Sequence, residues 1–250
     1  MKFWKKLFGA QAQPETAAVY VDLASAKRDC YQPLVESGEA GSRLSKFSGS
    51  ACIPVGEGWP ECPNCENPMQ LFLQLDGADL PQERSGSFGG GMLQMFYCTN
   101  SEPLCEVDCE AFFPFSRSSL VRVIDKTGAD IQPSPVVDPF PAVSIVGWER
   151  FDDYPNWEEL RAQGLELPDE QSDELAEAGF PRAGEKLFGW PAWIQGVEYP
   201  ECPDCGARMN LLFQIDSENN LPYMFGDVGC GHITQCPTHP EQLAFGWACS

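Results

Sequence analysis

Basic side chains are scarce: 16 lysines and arginines stand against 37 aspartates and glutamates, giving a formal net charge of −21 over 250 residues. An excess of this size repels phosphate backbones and anionic membranes at long range, so nucleic acid and lipid surfaces are disfavoured partners. A positively charged protein surface is instead steered toward such a chain. Long apolar runs are missing too, and no stretch approaches the roughly 18 residues needed to cross a bilayer. The start, Met1 to Ala12, has Lys2, Lys5 and Lys6 followed by Ala10-Gln11-Ala12, the flanks of an export signal, but only Leu7, Phe8 and Gly9 lie between them. A secretory signal needs about 7–15 apolar residues in that place. The expectation is a cytoplasmic protein without membrane insertion. Residues 1–16 are expected to be a short basic segment in which Phe3, Trp4, Leu7 and Phe8 give a short helix that docks on the body in preference to brushing a membrane. Histidine is limited to His232 and His239, and no nucleophile motif or base accompanies acids such as Asp152, Asp153 and Asp227. The sequence therefore presents no recognisable catalytic centre.

Apolar residues make up 43% of the chain, enough for a packed core. Twelve cysteines would suggest disulfides in a secreted protein; in a reducing cytosol they point to metal or to buried thiols. The chain also repeats itself. Residues 46–76 and 186–216 align without a gap at an offset of 140, with 12 of 31 positions identical, among them Lys46/Lys186, Gly49/Gly189, Cys62/Cys202, Cys65/Cys205 and Gln74/Gln214. Chance would give about two identities, and a period this long means two fused units and not a solenoid.

After each Cys-Pro-X-Cys the pattern becomes strict alternation, Met69, Leu71, Leu73, Leu75 in the first copy and Met209, Leu211, Phe213, Ile215 in the second. Both predict half-buried strands. Returning strands are expected at Met92 to Cys98 and His232 to Cys236, and further strands at Ala18 to Leu23, Leu120 to Ile124, Val143 to Trp148 and Leu243 to Trp247. Helix signals are few: Asn156 as an N-cap with Glu159 and a stop at Gly164, and an acidic run from Asp169 to Ala178 before Gly179. Pro133, Pro135, Pro139 and Pro141 mark a connector over 128–141, between a first unit at 17–127 and a second at 142–250. The predicted fold is α+β and β-rich: an internal duplication of two zinc-stapled antiparallel β units with a few short helices.

In the second unit Cys202-Pro-Asp-Cys205 is followed by Cys236-Pro-Thr-His239. Each short-spaced pair wraps a turn that aims two ligands at one centre, and two such turns fill a tetrahedral zinc site. In the first unit Cys62-Pro-Asn-Cys65 has Cys98 at the end of the returning strand, and either Cys105 or Cys109 as the fourth ligand. Two structural Zn2+ ions are expected, with no open coordination position for water. A redox dithiol is the rival, but that motif works at a helix start within a βαβ unit, whereas both pairs here precede alternating strands.

Trp59-Pro-Glu-Cys-Pro-Asn-Cys65 with Met69 and Gln74, Gly189-Trp-Pro-Ala-Trp193, Pro200-Glu-Cys-Pro-Asp-Cys205, Gly226-Asp227 and Leu243-Ala-Phe-Gly-Trp247 together resemble the bacterial YwqG-like family, from about Leu44 to the C-terminus. That family is one of unknown function. The pattern is similar, more remotely, to the eukaryotic programmed cell death 2 family. That resemblance implies a dedicated chaperone holding a basic small-subunit ribosomal protein, a client that would suit this acidic body. The function expected is a non-enzymatic zinc-stabilised binding module for a protein partner, a basic one by charge. An uncharacterised enzyme and a thiol or zinc redox sensor are the alternatives.

Overall fold

A computed structural model describes residues 19–40 and 44–250, so the basic segment 1–16 lies outside the described residues. In place of one strand over Ala18 to Leu23, the chain forms β1 (Val19–Tyr20) and then α1 (Leu23–Ala26). Asp22 causes the break, because its side chain caps the helix by accepting from the Ala24 N–H at 3.4 Å. The rest of the first half comprises β2 (Arg28–Ser37), β3 (Lys46–Phe47), β4 (Ala51–Pro54), β5 (Gln70–Asp76), β6 (Met92–Tyr97), α2 (Cys105–Asp108) and β7 (Ser119–Ile124). Within 128–141 a further strand forms, β8 (Ala129–Gln132), ahead of the prolines, and it pairs with β4 in a small separate sheet. Pro133 stops β8 by removing a ladder donor.

The second half begins with β9 (Val143–Asp153), longer than the alternating stretch that signals it. There follow α3 (Trp157–Ala162), β10 (Leu165–Glu166), α4 (Asp169–Glu177), β11 (Lys186–Phe188), β12 (Asn210–Asp216), β13 (Cys230–Gln235) and β14 (Leu243–Ala248). Asn156 caps α3 by accepting from the Glu159 N–H at 2.8 Å, and Leu160, Leu167 and Leu175 bury the two helices against each other. The longest helix among the described residues has nine residues. Among the described residues no helix is long and apolar enough to cross a membrane.

Ten strands form one antiparallel sheet in the order β14-β13-β12-β11-β2-β9-β3-β5-β6-β7. The order is balanced about its middle: the long pair β2 and β9 lies at the centre, with four strands on each side. Each long strand pairs on its outer side with the short strand of the opposite half, β2 with β11 and β9 with β3. The halves are thus interlocked in one sheet. The sheet also curls until its ends meet. The Trp247 N–H on β14 donates to the Phe112 carbonyl at 3.1 Å, and the Trp247 indole donates to the Tyr97 hydroxyl on β6 at 3.0 Å. Aromatic rings from both halves fill the inside. Phe72 lies 5.1 Å from Tyr97 and 5.0 Å from Tyr223, and Phe225 lies 5.9 Å from Trp247. Each fully buried ring contributes about 1.5–3 kcal/mol of transfer free energy.

Contacts recur at the 140-residue spacing. Lys46 faces Gln74 and Lys186 faces Gln214 across the ladder. The Gln74 Oε1 accepts from the Cys52 N–H at 2.9 Å, and the Gln214 Oε1 from the Ala192 N–H at 2.8 Å. Their amide nitrogens donate to the Leu44 and Gly184 carbonyls, both at 2.8 Å. The ladder slips between Leu71 and Leu73 and again between Leu211 and Phe213. Both lysines are buried against a carboxylate, Lys46 at 3.2 Å from Glu39 and Lys186 at 2.9 Å from Asp153. Gly189 makes the second of these contacts possible: its φ is +80°, and a Cβ there would strike the Asp153 carboxylate.

Candidate metal centres

Both Cys-Pro-X-Cys turns fold by local hydrogen bonds. The Cys62 N–H donates to the Asn67 carbonyl at 2.9 Å and the Glu66 N–H to the Cys62 carbonyl at 2.7 Å; Cys202 with Ala207, and Gly206 with Cys202, repeat both bonds at 2.8 Å. The residue after the second cysteine is left-handed in each, φ 61° at Glu66 and φ 68° at Gly206. That twist turns the chain back toward the following strand, just before which Met69 and Met209 each donate at 2.9 Å to the Pro60 and Pro200 carbonyls.

Each turn precedes a strand whose antiparallel neighbour ends in another cysteine. Cys98 directly follows β6 and Cys236 directly follows β13, so the pairing of β5 with β6 and of β12 with β13 carries these thiols to the turns. The fourth donor arrives differently in the two halves, on α2 as Cys105 and in the β13–β14 connection as His239. The ligand atoms of Cys62, Cys65, Cys98 and Cys105 lie within 4.8 Å of one another, as do those of Cys202, Cys205, Cys236 and His239. Cys65 is 3.7 Å from Cys98 and Cys205 is 3.7 Å from Cys236, sulfur to sulfur, and the His239 Nδ1 is 3.7 Å from the Cys202 sulfur. These separations are far beyond a disulfide bond of about 2.05 Å. Four sulfurs at about 2.3 Å from a tetrahedral zinc stand about 3.8 Å apart. The donor sets therefore fit a divalent ion of that size, and both groups can hold a metal.

The surroundings favour thiolate at selected positions. Burial opposes ionisation of Cys236, but the N–H groups of Thr238 and His239 point at its sulfur from 3.4 and 3.3 Å and bring its pKa down to about 6. The Ala207 N–H lowers the pKa of Cys205; burial of Cys65 is outweighed by the Asn67 N–H and neighbouring thiols. Burial raises Cys98 and Cys202, and pushes Cys105 up to about 11. Asn64, at the X position of the first turn, donates to the Cys105 sulfur at 3.4 Å and accepts from Arg117 at 3.2 Å. Nothing in the spacing marks Asn64, since its role depends on where α2 lands.

Cys109 stands apart from the first group, at the C-terminal cap of α2, where its carbonyl accepts from the Ser116 hydroxyl at 2.8 Å. Cys30, Cys52 and Cys230 are buried single thiols. Burial raises the pKa of all three, Cys30 to about 11. His232 is packed against Trp193 at 4.6 Å, and burial brings its pKa down to about 3, so it is neutral.

A cleft of about 540 Å³ opens beside β13 and β14 on the outer face of the second half, walled by Trp193, Tyr199, Trp247 and Phe112. Residue spacing does not reveal it. None of Asp152, Asp153 and Asp227 lines it. Asp153 is consumed by Lys186 and by the N–H groups of Arg182 and Trp190, and Asp152 pairs with Lys27 at 3.3 Å.

Comparison with known proteins covers the described sheet apart from β2 and the end of β14. A family model described as Domain of unknown function (DUF1963) matches residues 45–245. A stretch of 44 residues is 41% identical to the Uncharacterized protein YpfL of Salmonella typhimurium (strain LT2), covering 18% of this chain and 10% of that relative.

Proposed function

Because the chain belongs to the Domain of unknown function (DUF1963) family, whose description assigns no activity, we propose its function from geometry and charge: a non-enzymatic, zinc-stabilised binding module for a basic protein partner. The observation that carries this reading is the closure of both metal groups. Each offers four donors converging on one point, four cysteines in the first half and three cysteines with a histidine in the second. Thiolate and imidazole in that number suit zinc, and a filled tetrahedral site has no position for a reacting water, so its work is structural. Each ion would tie the turn before a strand to the end of its neighbour, and its binding free energy would add to folding. Two ions, one per half, also belong to the reading of the chain as a duplication, supported by the hydrogen bonds that recur 140 residues apart. The remoter resemblance to the programmed cell death 2 family favours the same role, and the YwqG-like one assigns none.

The partner is inferred from charge. A body of net charge −21 accelerates encounters with cationic surfaces and disfavours nucleic acid. A cytoplasmic setting, in which twelve thiols stay reduced, goes with this proposal. The test is retention of proteins from native host extract on the immobilised full chain at low and high salt. A basic protein released by salt is the expected result; no basic protein above the bead control counts against the module.

A further inference from the structure

The outer face of the sheet differs between the halves at matched ladder positions. In the first half Gln94 on β6 faces Arg122 on β7, and Phe96 faces Leu120; in the second, His232 on β13 faces Gly246 on β14, and Thr234 faces Ala244. Phe96, Leu120 and Arg122 are thus replaced by Thr234, Ala244 and Gly246. The first half is filled. Trp59 packs edge-on against Phe96 at 5.5 Å, and the Arg122 guanidinium lies 5.8 Å from the Phe96 ring. That guanidinium donates to the Gln94 Oε1 at 3.1 Å and pairs with Glu57 at 2.8 Å. In the second half the Phe112–Pro114 segment closes onto Gly246, its Phe112 carbonyl 3.1 Å from where a Cβ would stand, and the cleft of about 540 Å³ opens beside that contact over His232 and Thr234.

We propose that this cleft takes the guanidinium of an arginine side chain presented by a protein partner, as the first half takes that of its own Arg122. The proposal rests on the protein-binding reading and names what the partner offers. Three observations support it. The walls are aromatic, Trp193 and Tyr199 meeting at 4.8 Å, and planar, weakly hydrated guanidinium stacks on such rings more readily than a strongly hydrated ammonium. Among the described residues Glu198 is the one lining side chain that carries a formal charge, and it stands one position past the aligned counterpart of Glu57. Thr234, 2% exposed, lines the floor, and its Oγ1 has no hydrogen-bond partner. It can accept from a guanidinium N–H. Tyr199 already stacks one guanidinium, that of Arg208 at 3.7 Å from the ring centre, which Glu159 holds in place at 2.5 Å.

The experiment is saturation-transfer NMR on the zinc-loaded full chain with N-acetyl-arginine amide and N-acetyl-lysine amide at equal concentrations. Saturable transfer to the arginine amide, with a response to the lysine amide at least several-fold weaker, is expected. Glu198→Gln should weaken the arginine amide about two- to five-fold, the scale of an exposed ion pair. Thr234→Phe, which restores the side chain of the filled half, should abolish transfer with zinc content and melting temperature unchanged. No saturable transfer, an equal response to lysine, or an undiminished response in Thr234→Phe overturns the proposal. If Thr234→Phe loses zinc or fails to fold, Glu198→Gln and the lysine comparison decide. Retention of a basic protein from extract without arginine amide binding would sink the cleft and leave the module standing.

Discussion

Lys186 and Asp153 have no exposed side-chain surface, so neither charge is solvated by water and each depends on the other. Burial lowers the pKa of Lys186 and Asp153 opposes that shift. Removing one member of such a pair strands the other, at a cost of about 3–5 kcal/mol. Lys186→Met should destabilise the fold by that amount in urea unfolding. Lys46→Met should cost distinctly less, because Glu39 is 48% exposed and keeps its water. Equal losses would mean that the two lysines do not differ in this way. The lysines themselves were legible as identities of the repeat. Their carboxylates were not, since Glu39 and Asp153 lie outside the aligned stretch and reach the lysines from just beyond β2 and from β9 only once the sheet forms. Cys62, Cys65, Cys202 and Cys205 were legible for the opposite reason: a turn of four residues is a local structure, and its spacing is its geometry.

Strands of the repeats could be read from alternating apolar residues or from an apolar run that follows Gly91, although β5 is buried on both faces and its slip sends Met69 and Leu71 to one cluster and Leu73 and Leu75 to another. β2 gave no such signal. It contains Pro33, and its charged residues fall at both ends. It tolerates the proline because β11 pairs only with Cys30 and Tyr31, which leaves β2 without an outer partner from residue 33 onward. α3 is legible from its cap Asn156 and α4 from its acidic run before Gly179, whereas α1 reads as strand despite the Asp22 cap and four-residue α2 gives no signal. That gap left the choice between Cys105 and Cys109 open. α2 turns Cys105 inward, fully buried, and leaves Cys109 at its exit. Cys105→Ala should therefore lower metal content by about one ion per chain and Cys109→Ala should leave it unchanged, by mass spectrometry of the purified variants. The reverse pattern would assign the fourth ligand to Cys109.

At the scale of the molecule, the two halves share one sheet and one aromatic core, with β2 and β9 each paired to a strand of the other half. Sequence spacing separates the chain at the prolines, and no local pattern could reveal that the long strands would interlock across that point. The metal groups lie outside the exchange. Each joins elements of its own half, at the ends of β5 and β6 or of β12 and β13, where an unpinned strand pair would fray. Acidity acts on the whole surface in the same sense: 21 excess negative charges repel one another in the compact state, and ions held at the two cysteine groups would offset that repulsion by tying strands together. The most direct test of the account is the zinc content of untagged protein purified under reducing conditions, measured by inductively coupled plasma mass spectrometry beside a Cys202→Ala/Cys205→Ala variant. The account predicts about two zinc ions in the parent chain and about one in the variant, and a parent chain that carries no zinc would contradict it.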